Sequence, residues 1–208
     1  MAPVPVTRTD HALRDDLRHR MRAQRHRLDA PARLAAAEAV RHHLDQWPLF
    51  AGATRVAGYW AIGGELPLNL VLSSLAARGQ RYCLPRLRRD NTLQFITWST
   101  GDAVAPNRYG IPEPVDGETF DPSHIDVVLL PLLAFDRHGA RLGSGAGYYD
   151  RTFEFLARRT RPAQPLLVGV AYAMQEVEAL PTAAWDIPLD GVVTERALIH
   201  CHTHGEST

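Results

Sequence analysis

Three glycines at alternate positions give one segment of the chain the spacing of a phosphate-binding loop. The segment reads Gly143-Ser144-Gly145-Ala146-Gly147, and closely spaced glycines let backbone N–H groups approach an anion. Tyr148-Tyr149-Asp150 follows and is predicted to begin a helix that runs through Leu156, whose positive end would face that anion. A flexible turn between a strand and a helix is the alternative interpretation.

Two other glycine-containing motifs do not fit this segment. Tyr148 stands where a dinucleotide-binding loop needs its third glycine, and no acidic residue ends a strand about 20 residues further on. Leu142 occupies the first glycine position that a nucleophile elbow around Ser144 requires. The pattern therefore favours a plain phosphate cradle.

Asp150 and Asp186 are the acidic residues predicted to act beside this cradle. Asp150 starts the helix after the glycines, and Asp186 lies just before the last predicted strand. Mg²⁺ typically takes one or two protein carboxylates and completes its shell with phosphate oxygens and water. Taken singly, each residue is better explained as a helix or loop cap, so the magnesium hypothesis depends on the two lying together.

The first predicted helix has a basic face. Arg14, Arg18, Arg22 and Arg25 follow one another at steps of four, four and three residues, which places them on one side. Such a face could contact a polyanion: a triphosphate, a polyglutamate tail or RNA. Aspartates at positions 10, 15, 16 and 29 partly neutralise it, so an ordinary solvated helix surface is the alternative.

The composition excludes several functions. All 23 basic side chains are arginine, and they balance 23 acidic ones among 208 residues. Without lysine there is no P-loop lysine, Schiff-base lysine or pyridoxal phosphate anchor, and zero net charge argues against a nucleic-acid coat. The chain has no apolar run near ~20 residues, no apolar signal core and only two distant cysteines, Cys83 and Cys201. We therefore expect a cytoplasmic protein that does not enter a membrane.

Predicted strands alternate with predicted helices along most of the chain. Residues 55–60, 127–130, 166–170 and 191–194 have the apolar runs of strands, and residues 101–124 are predicted to form a long loop. The alternation predicts an α/β fold, a three-layer sandwich with a largely parallel central sheet flanked by helices. We expect one domain over residues 1–208, with N-terminal helices in 1–50, an α/β body in 51–199 and a disordered tail in 200–208.

The cysteines and the histidine-rich end of the chain are not predicted to form a site. His200, His202 and His204 with Cys201 could chelate a metal, but a polar chain end offers no fixed tetrahedral geometry. Cys83 lies within an apolar strand and is predicted to be a buried structural cysteine.

Several segments together resemble the 5-formyltetrahydrofolate cyclo-ligases, also called 5,10-methenyltetrahydrofolate synthetases. The most specific is the run from Arg141 to Arg151, with Leu132–Asp136 before it. Further matches follow the family order along nearly the whole chain: the first helix, Gly64-Glu65, Leu84-Pro85-Arg86, Tyr109–Pro114 and Trp185–Leu189.

The resemblance implies adjoining ATP, magnesium and folate sites. Mg²⁺ would bind Asp150 and Asp186, and the catalytic residues would be Arg141 and Tyr149. An aromatic pocket would stack a pterin ring, and Glu65 would accept hydrogen bonds from pterin N–H groups. The folate contacts implied are Trp60, Glu65, Tyr109 and Tyr148. The ATP contacts implied are Arg14, Arg86, Arg141, Gly143, Ser144, Gly145, Ala146, Gly147, Tyr148, Tyr149 and Asp150.

The implied reaction is the ATP- and Mg-dependent cyclisation of 5-formyltetrahydrofolate to 5,10-methenyltetrahydrofolate, with release of ADP and phosphate. The N5-formyl oxygen attacks the γ-phosphate to give an N-iminium phosphate, N10 then closes the ring, and phosphate leaves. Phosphoryl transfer asks the protein mainly for positioning and charge neutralisation, which agrees with a chain that shows no catalytic triad. We expect a monomer whose ligands are 5-formyltetrahydrofolate and ATP.

One position departs from the family pattern, which has a lysine four residues before the arginine that Arg14 matches. This chain has Asp10 there, and a carboxylate aimed at a triphosphate would repel it. Arg8 would serve instead if the register differs by a residue or two. Two alternative functions remain: a relative that binds folate or nucleotide with weakened turnover, or an RNA-binding protein that uses the arginine-rich first helix.

Overall fold

The computed structural model describes residues 8–160 and 162–201, with side chains from Asp10 onward. Two long helices precede the first strand, as the apolar spacing predicts. The sequence Asp29-Ala30-Pro31 is typical of a helix start, with an N-cap and a proline in the first turn. The second helix does begin there, and the Asp29 carboxylate accepts a hydrogen bond from the Ala32 N–H at 2.8 Å. The α-helices are α1 (Arg8–His26), α2 (Ala30–Asp45), α3 (Pro48–Ala51), α4 (Asn69–Ala77) and α5 (Tyr148–Thr152), and 3-10 helices span Pro122–His124, Glu154–Arg158 and Ala173–Gln175.

Eight of the described strands form one twisted layer in the order β12-β11-β10-β7-β1-β2-β3-β6. Two separate hairpins pair β4 with β5 and β8 with β9. The strands are β1 (Arg55–Ala57), β2 (Arg81–Leu87), β3 (Leu93–Thr97), β4 (Val104–Pro106), β5 (Pro112–Pro114), β6 (Thr119–Phe120), β7 (Val127–Pro131), β8 (Ala134–Phe135), β9 (Arg141–Leu142), β10 (Leu166–Val170), β11 (Gly191–Val193) and β12 (Leu198–His200).

The centre of the sheet is parallel and its edges are antiparallel. β11, β10, β7, β1 and β2 run in one direction, whereas β12, β3 and β6 pair antiparallel with their neighbours. The strand β1 lies between β2 and β7, with Val56 opposite Tyr82 on one side and Val127 on the other. The predicted largely parallel sheet is confirmed.

Strand β7 shows how apolar side chains of both faces are buried. Val127 and Leu129 pack into the core beneath α2 and α4, while Val128 and Leu130 pack into the opposite core. All four are at most 1% exposed, because alternate side chains of a strand point to opposite faces. The second core also contains Phe153, from the segment after α5. Helical layers on both faces confirm the predicted three-layer sandwich.

Three predicted boundaries differ from the structure. β1 ends at Ala57 instead of continuing to Trp60; at Gly58 the Tyr82 hydroxyl occupies the space where a side chain would lie, so glycine is required there. The predicted loop 101–124 contains β4, β5 and β6; its prolines stand in a two-stranded hairpin, where missing backbone donors are tolerated. α5 ends at Thr152, whose hydroxyl donates to the Tyr148 carbonyl, and a 3-10 helix continues the segment.

The chain end is ordered further than expected. His200 is the last residue of β12 and pairs with Gly191, so it belongs to the sheet rather than to the tail predicted from residue 200. Its ring lies 6.1 Å from that of Trp47. His202 and His204 lie outside the described residues. Cys83 is fully buried, as predicted, and burial raises the pKa of its thiol to about 12.

Within residues 8–160 and 162–201, no helix has the length and apolar character needed to cross a membrane.

Candidate functional site

The candidate site lies where two parallel strands end and the chain leaves them in opposite directions. From β1 the chain passes through α4 to the neighbouring strand β2, whereas from β7 it continues towards β10 on the other side. Such a switch point opens a crevice beyond the carboxyl ends of the strands, which is where ligands bind in open α/β sheets. The segments at this crevice are residues 58–66 after β1 and Leu132-Leu133 after β7.

The glycine-rich segment, residues 143–147, follows β9 as an exposed turn. Ser144, Gly145 and Ala146 are exposed, and Gly145 and Gly147 adopt φ values of +108° and +67°, which favour glycine. The structure thus gives a physical reason for two of the three glycines. α5 has only five residues and is shorter than the helix predicted to run through Leu156, so its dipole can contribute little to anion binding.

Two arginines anchor this glycine-rich segment through its carbonyl groups. Arg18 Nε of α1 donates to the Gly143 carbonyl at 3.0 Å, and its guanidinium lies against Gly145. Arg151 Nη2 donates to the Ala146 carbonyl at 2.6 Å. Both cations therefore lie beside the turn predicted to bind phosphate. Neither is among the ATP contacts that the family resemblance implies, although Arg18 belongs to the predicted basic face of α1.

Arg141 and Asp150 form an ion pair at the base of the glycine-rich segment. Arg141 Nη2 lies 2.5 Å from Asp150 Oδ1, and the Arg141 side chain is only 6% exposed. Arg141 Nη1 also donates to the Ile187 carbonyl, and the Ile187 N–H donates to Asp150 Oδ1 at 3.2 Å. The segment that contains Asp186 is thereby fixed against the start of α5.

A second ion pair links this segment to the first helix. Arg14 Nη1 lies 3.3 Å from Asp186 Oδ2, and their side chains are 12% and 15% exposed. Asp186 Oδ2 also accepts from the Ala183 N–H at 2.8 Å. Arg14 Nε is buried and has no hydrogen-bond partner among the described residues. Asp150 and Asp186, predicted together as metal ligands, thus lie on touching segments.

The two carboxylates fit a magnesium ion that arrives with a phosphate group. In the described hydrogen bonds and ion pairs each uses one oxygen, Oδ1 of Asp150 and Oδ2 of Asp186. Among the described residues no group of three or more His, Cys, Asp or Glu is arranged to hold a metal. Two carboxylates without a full protein cage are what Mg²⁺ uses beside a nucleotide.

Tyr109 and Tyr148 come together at the exposed rim of the crevice. Their hydroxyl groups are 2.8 Å apart and their rings meet edge to face at 6.3 Å. Arg108 Nη2 donates to the Tyr148 hydroxyl at 2.6 Å. The hydrogen bonds with Tyr109 and Arg108 lower the pKa of the Tyr148 phenol.

The third aromatic residue predicted for the folate pocket packs elsewhere. Trp60 meets Trp98 edge to face at 5.6 Å and borders the core beneath α2 and α4. Tyr148 borders the core on the opposite face. A pocket built from Trp60, Tyr109 and Tyr148 together is therefore not formed by direct packing of the three rings.

Tyr149 and Glu65 are two partly buried titratable groups of the crevice. Burial raises the pKa of the Tyr149 phenol, and the nearby Glu65 carboxylate raises it further, so the hydroxyl stays protonated and can donate. Burial also raises the pKa of Glu65. The hydrogen bond from the Ile62 N–H and the charge of Arg25 lower this pKa but do not cancel the effect of burial. Ile62 N donates to Glu65 Oε2 at 3.1 Å. The side chain of Glu65 is held in place before any ligand binds.

Arg86, predicted to contact ATP, is engaged on the other side of β2. Arg86 donates to the Val115 carbonyl and to Gln94 Oε1, both at 3.2 Å. These contacts tie β2 to β3 and to the segment after β5. An ATP contact by Arg86 stays a prediction.

The basic face of α1 points largely into the protein. Arg14, Arg18 and Arg25 contact Asp186, the Gly143 carbonyl and the Gly63 carbonyl, respectively. These contacts argue against an ordinary solvated helix surface or an RNA-binding face, and those of Arg14 and Arg18 lie at the segments predicted to bind magnesium and phosphate. The four-residue spacing identified the face, but only long-range packing shows what each arginine touches.

Comparison with known proteins decides which family this arrangement represents. The family model for "5-formyltetrahydrofolate cyclo-ligase family" matches residues 10–195. The chain belongs to the 5-formyltetrahydrofolate cyclo-ligase family. The family predicted from the sequence, and a ligase of that family as the class of enzyme, are confirmed.

Relatives of this cyclo-ligase family member come from several bacteria. The 5-formyltetrahydrofolate cyclo-ligase of Escherichia coli K12 is 38% identical over 153 residues, covering 71% of this chain and 81% of that protein. The Haemophilus influenzae cyclo-ligase is 32% identical, covering 85% and 94%. The Aquifex aeolicus 5,10-methenyltetrahydrofolate synthetase structure has a TM-score of 0.78 and 33% identity, covering 94% of this chain and 96% of that one.

Proposed function

We propose that this protein catalyses the ATP- and Mg-dependent cyclisation of 5-formyltetrahydrofolate to 5,10-methenyltetrahydrofolate, with release of ADP and phosphate. The observation that supports this most is the pair of Arg–Asp ion pairs beside the exposed glycine-rich segment, Arg141–Asp150 and Arg14–Asp186. Each couples a phosphate-binding cation to a magnesium-binding carboxylate. In a member of the cyclo-ligase family, this arrangement suits the transfer of a phosphoryl group from ATP.

The nucleotide would enter over residues 143–147 and replace the carboxylates as the partner of the arginines. Arg14 has an unpartnered, buried Nε among the described residues, so a phosphate oxygen would satisfy a donor that these residues leave without a bond. Arg141 presents a fork that can grip a phosphate at two points. The predicted contacts with Gly143, Ser144, Gly145, Ala146 and Gly147 would come from their backbone.

The released carboxylates of Asp150 and Asp186 would hold Mg²⁺ together with the phosphate oxygens. A bound Mg²⁺ neutralises charge on the transferred phosphoryl group. Because each aspartate has an arginine partner before the nucleotide arrives, neither is an unpaired buried charge in the free protein.

Arg141 and Tyr149 are the residues we propose to act on the reacting groups. The formyl oxygen attacks the γ-phosphorus, and the bond between that phosphorus and the ADP oxygen breaks. Negative charge spreads over the phosphoryl oxygens. Arg141 stabilises that charge, which is the usual role of an arginine in such a transfer. Tyr149, whose burial raises the pKa of its phenol, stays neutral and donates a hydrogen bond to substrate. N10 then attacks the activated carbon and inorganic phosphate leaves.

The folate ring would lie between the residue 58–66 segment and the aromatic rim. Glu65 is fixed in the crevice by the Ile62 N–H and can accept from pterin N–H groups. Tyr109 and Tyr148 offer ring surface at the entrance. Trp60 would join the pocket only if the ligand reaches the Trp60–Trp98 pair.

A second candidate is a relative that binds folate and nucleotide with weak turnover. Asp10, in the first turn of α1 one turn before Arg14, favours it, because the family pattern has a lysine there; the side chain of Arg8, the possible substitute, lies outside the described residues. A monomeric state and a cytoplasmic location stay predictions.

A turnover assay separates the two candidates. Protein is mixed with 5-formyltetrahydrofolate and Mg-ATP, and the absorbance of the methenyl product is followed, with ATP or Mg²⁺ omitted as controls. We expect each protein molecule to form many product molecules, but only when ATP and Mg²⁺ are both present. Folate binding in a one-to-one ratio without product would support the second candidate.

A further inference from the structure

Arg25 differs from the other arginines of α1 in being almost completely buried. Only 5% of the residue is exposed. Its Nη2 donates to the Gly63 carbonyl at 2.9 Å, and its Nη1 makes a longer contact of 3.4 Å with the Leu132 carbonyl. Gly63 follows β1 and Leu132 follows β7, so one guanidinium joins the two segments that form the crevice.

The same guanidinium faces the carboxylate of Glu65. Arg25 Nη1 lies 4.0 Å from Glu65 Oε1, and the two side chains are 6% and 12% exposed. The turn from Ile62 to Glu65 is tight, because the Glu65 N–H donates to the Ile62 carbonyl at 2.9 Å. Gly63 and Gly64 take φ values of +53° and +79° within it. Arg25 thus contacts this turn both through its backbone and through its acidic side chain.

Arg25 is poorly placed to contact a phosphate or RNA. Its Nη groups are directed at the Gly63 and Leu132 carbonyls and at the Glu65 carboxylate. Burial lowers the pKa of Arg25, and the Glu65 carboxylate opposes this effect. The Arg25 guanidinium therefore contacts groups inside the crevice and is not exposed at its surface.

We propose that Arg25 is a positioning residue for folate, which fixes the Ile62–Glu65 turn and holds the Glu65 carboxylate towards the pterin ring. The inference rests on the proposed function, in which Glu65 accepts hydrogen bonds from pterin N–H groups. Arg25 then acts on folate only through Glu65 and has no direct part in ATP binding.

Glu65 is the carboxylate that acts on Arg25 among the described residues. Four other titratable groups interact electrostatically with Arg25 or Glu65. They are Arg22, Tyr59, Tyr149 and Tyr172. The tyrosines remain neutral at physiological pH, since burial raises their pKa values. Arg25 is thus the cation that faces Glu65 most directly.

A double-mutant cycle tests the proposal. Arg25→Met, Glu65→Gln and the double variant are compared with wild type for kcat and for the KM values of the formylated folate and of ATP. We expect Arg25→Met to raise the folate KM by about tenfold or more, with the ATP KM changed less than about twofold. In the double variant the folate KM should equal that of Glu65→Gln alone, because Arg25 then has no carboxylate to hold.

The controls separate positioning from general destabilisation. Arg20→Gln removes an exposed arginine of the same helix, paired with Asp16, and should leave both KM values unchanged. If Arg25→Met does not fold, because Glu65 is left buried without its cation, the double variant removes both charges and remains informative. Arg25→Lys keeps a charge near Glu65 and should restore part of the folate affinity.

Two results would overturn the proposal. One is a folate KM that rises in the double variant well beyond that of Glu65→Gln alone. The other is an ATP KM that rises as much as the folate KM when Arg25 is replaced. In either case wild-type turnover would leave the proposed function intact, whereas a wild-type protein that neither binds nor converts 5-formyltetrahydrofolate would contradict that function itself.

Discussion

Arg141 and Asp150 form a short ion pair, with Nη2 2.5 Å from Oδ1, between the first residue of β9 and the first turn of α5. The same Asp150 oxygen accepts the N–H of Ile187, which is the neighbour of Asp186 in the chain. The arginine proposed to bind phosphate and one proposed magnesium ligand are therefore joined in one hydrogen-bonded unit with the segment that contains the other ligand. Replacing any member of this unit should affect nucleotide binding more than it affects the fold.

Asp150→Asn should lower turnover by about 100-fold and raise the Mg²⁺ concentration needed for half-maximal activity. The amide keeps the shape of the side chain but cannot balance the charge of Arg141 or bind a hard cation as strongly. Mg-ATP affinity is measured by calorimetry alongside activity. Asp16→Asn, an exposed aspartate of α1, is the matched control. Unaltered Mg²⁺ dependence in Asp150→Asn would refute the metal role.

Mg²⁺ alone should bind the free protein at least about ten times more weakly than it binds in the presence of ATP. Asp150 and Asp186 are already paired with Arg141 and Arg14, and a lone cation would have to displace both arginines without a phosphate to receive them. Calorimetric titration of Mg²⁺ with and without a non-hydrolysable ATP analogue measures the difference. Tight binding of the metal in the absence of nucleotide would be inconsistent with this account.

Asp10→Lys should tighten ATP binding by about ten- to a hundredfold, because it exchanges a repelling carboxylate for a charged donor one helical turn from Arg14. Asp16→Lys makes the same change of charge at an exposed position of α1 and controls for the overall electrostatic effect. Nucleotide affinity of both variants is compared by calorimetry at two salt concentrations. An Asp10→Lys affinity equal to that of the control would show that Asp10 does not face the nucleotide.

As the pH is lowered, the folate KM should begin to rise at a higher pH than it would if Glu65 had the pKa of an ordinary glutamate. Burial raises the pKa of Glu65 above its usual 4.5, and the carboxylate must be ionised to accept two pterin N–H groups. As pH falls through that raised pKa the acceptor is lost. Glu65→Gln should give a higher KM at neutral pH but no such rise, whereas Glu118→Gln, at an exposed position, should behave as wild type.

The sequence predicted the layers of this protein because they depend on local periodicity. The alternation of Val127 to Leu130 into two cores and the Asp29 cap of α2 both follow from patterns of a few residues. The β4–β5 hairpin was missed because its prolines, Pro106 opposite Pro112, have the composition of a loop.

The sequence predicts which chain segments make up the candidate site but not the long-range contacts between them. That phosphate and metal bind at the glycine spacing and the acidic residues stays a prediction. The contact of Arg18 with the Gly143 carbonyl joins residues 125 apart in the chain, and that of Arg25 with Gly63 depends on how α1 packs against the rest of the protein. Similarly, the packing of Trp60 against Trp98 is decided by the core, which spacing alone does not reveal.

The most direct test of the proposed function follows the oxygen atom of the formyl group. Single-turnover reactions with the ¹⁸O-formyl-labelled folate substrate and Mg-ATP are analysed for label in the inorganic phosphate released. Attack of the formyl oxygen on the γ-phosphorus predicts one ¹⁸O atom in each phosphate formed, together with one ADP and one 5,10-methenyltetrahydrofolate. Methenyl product accompanied by unlabelled phosphate, or ATP hydrolysis without cyclisation, would contradict the account.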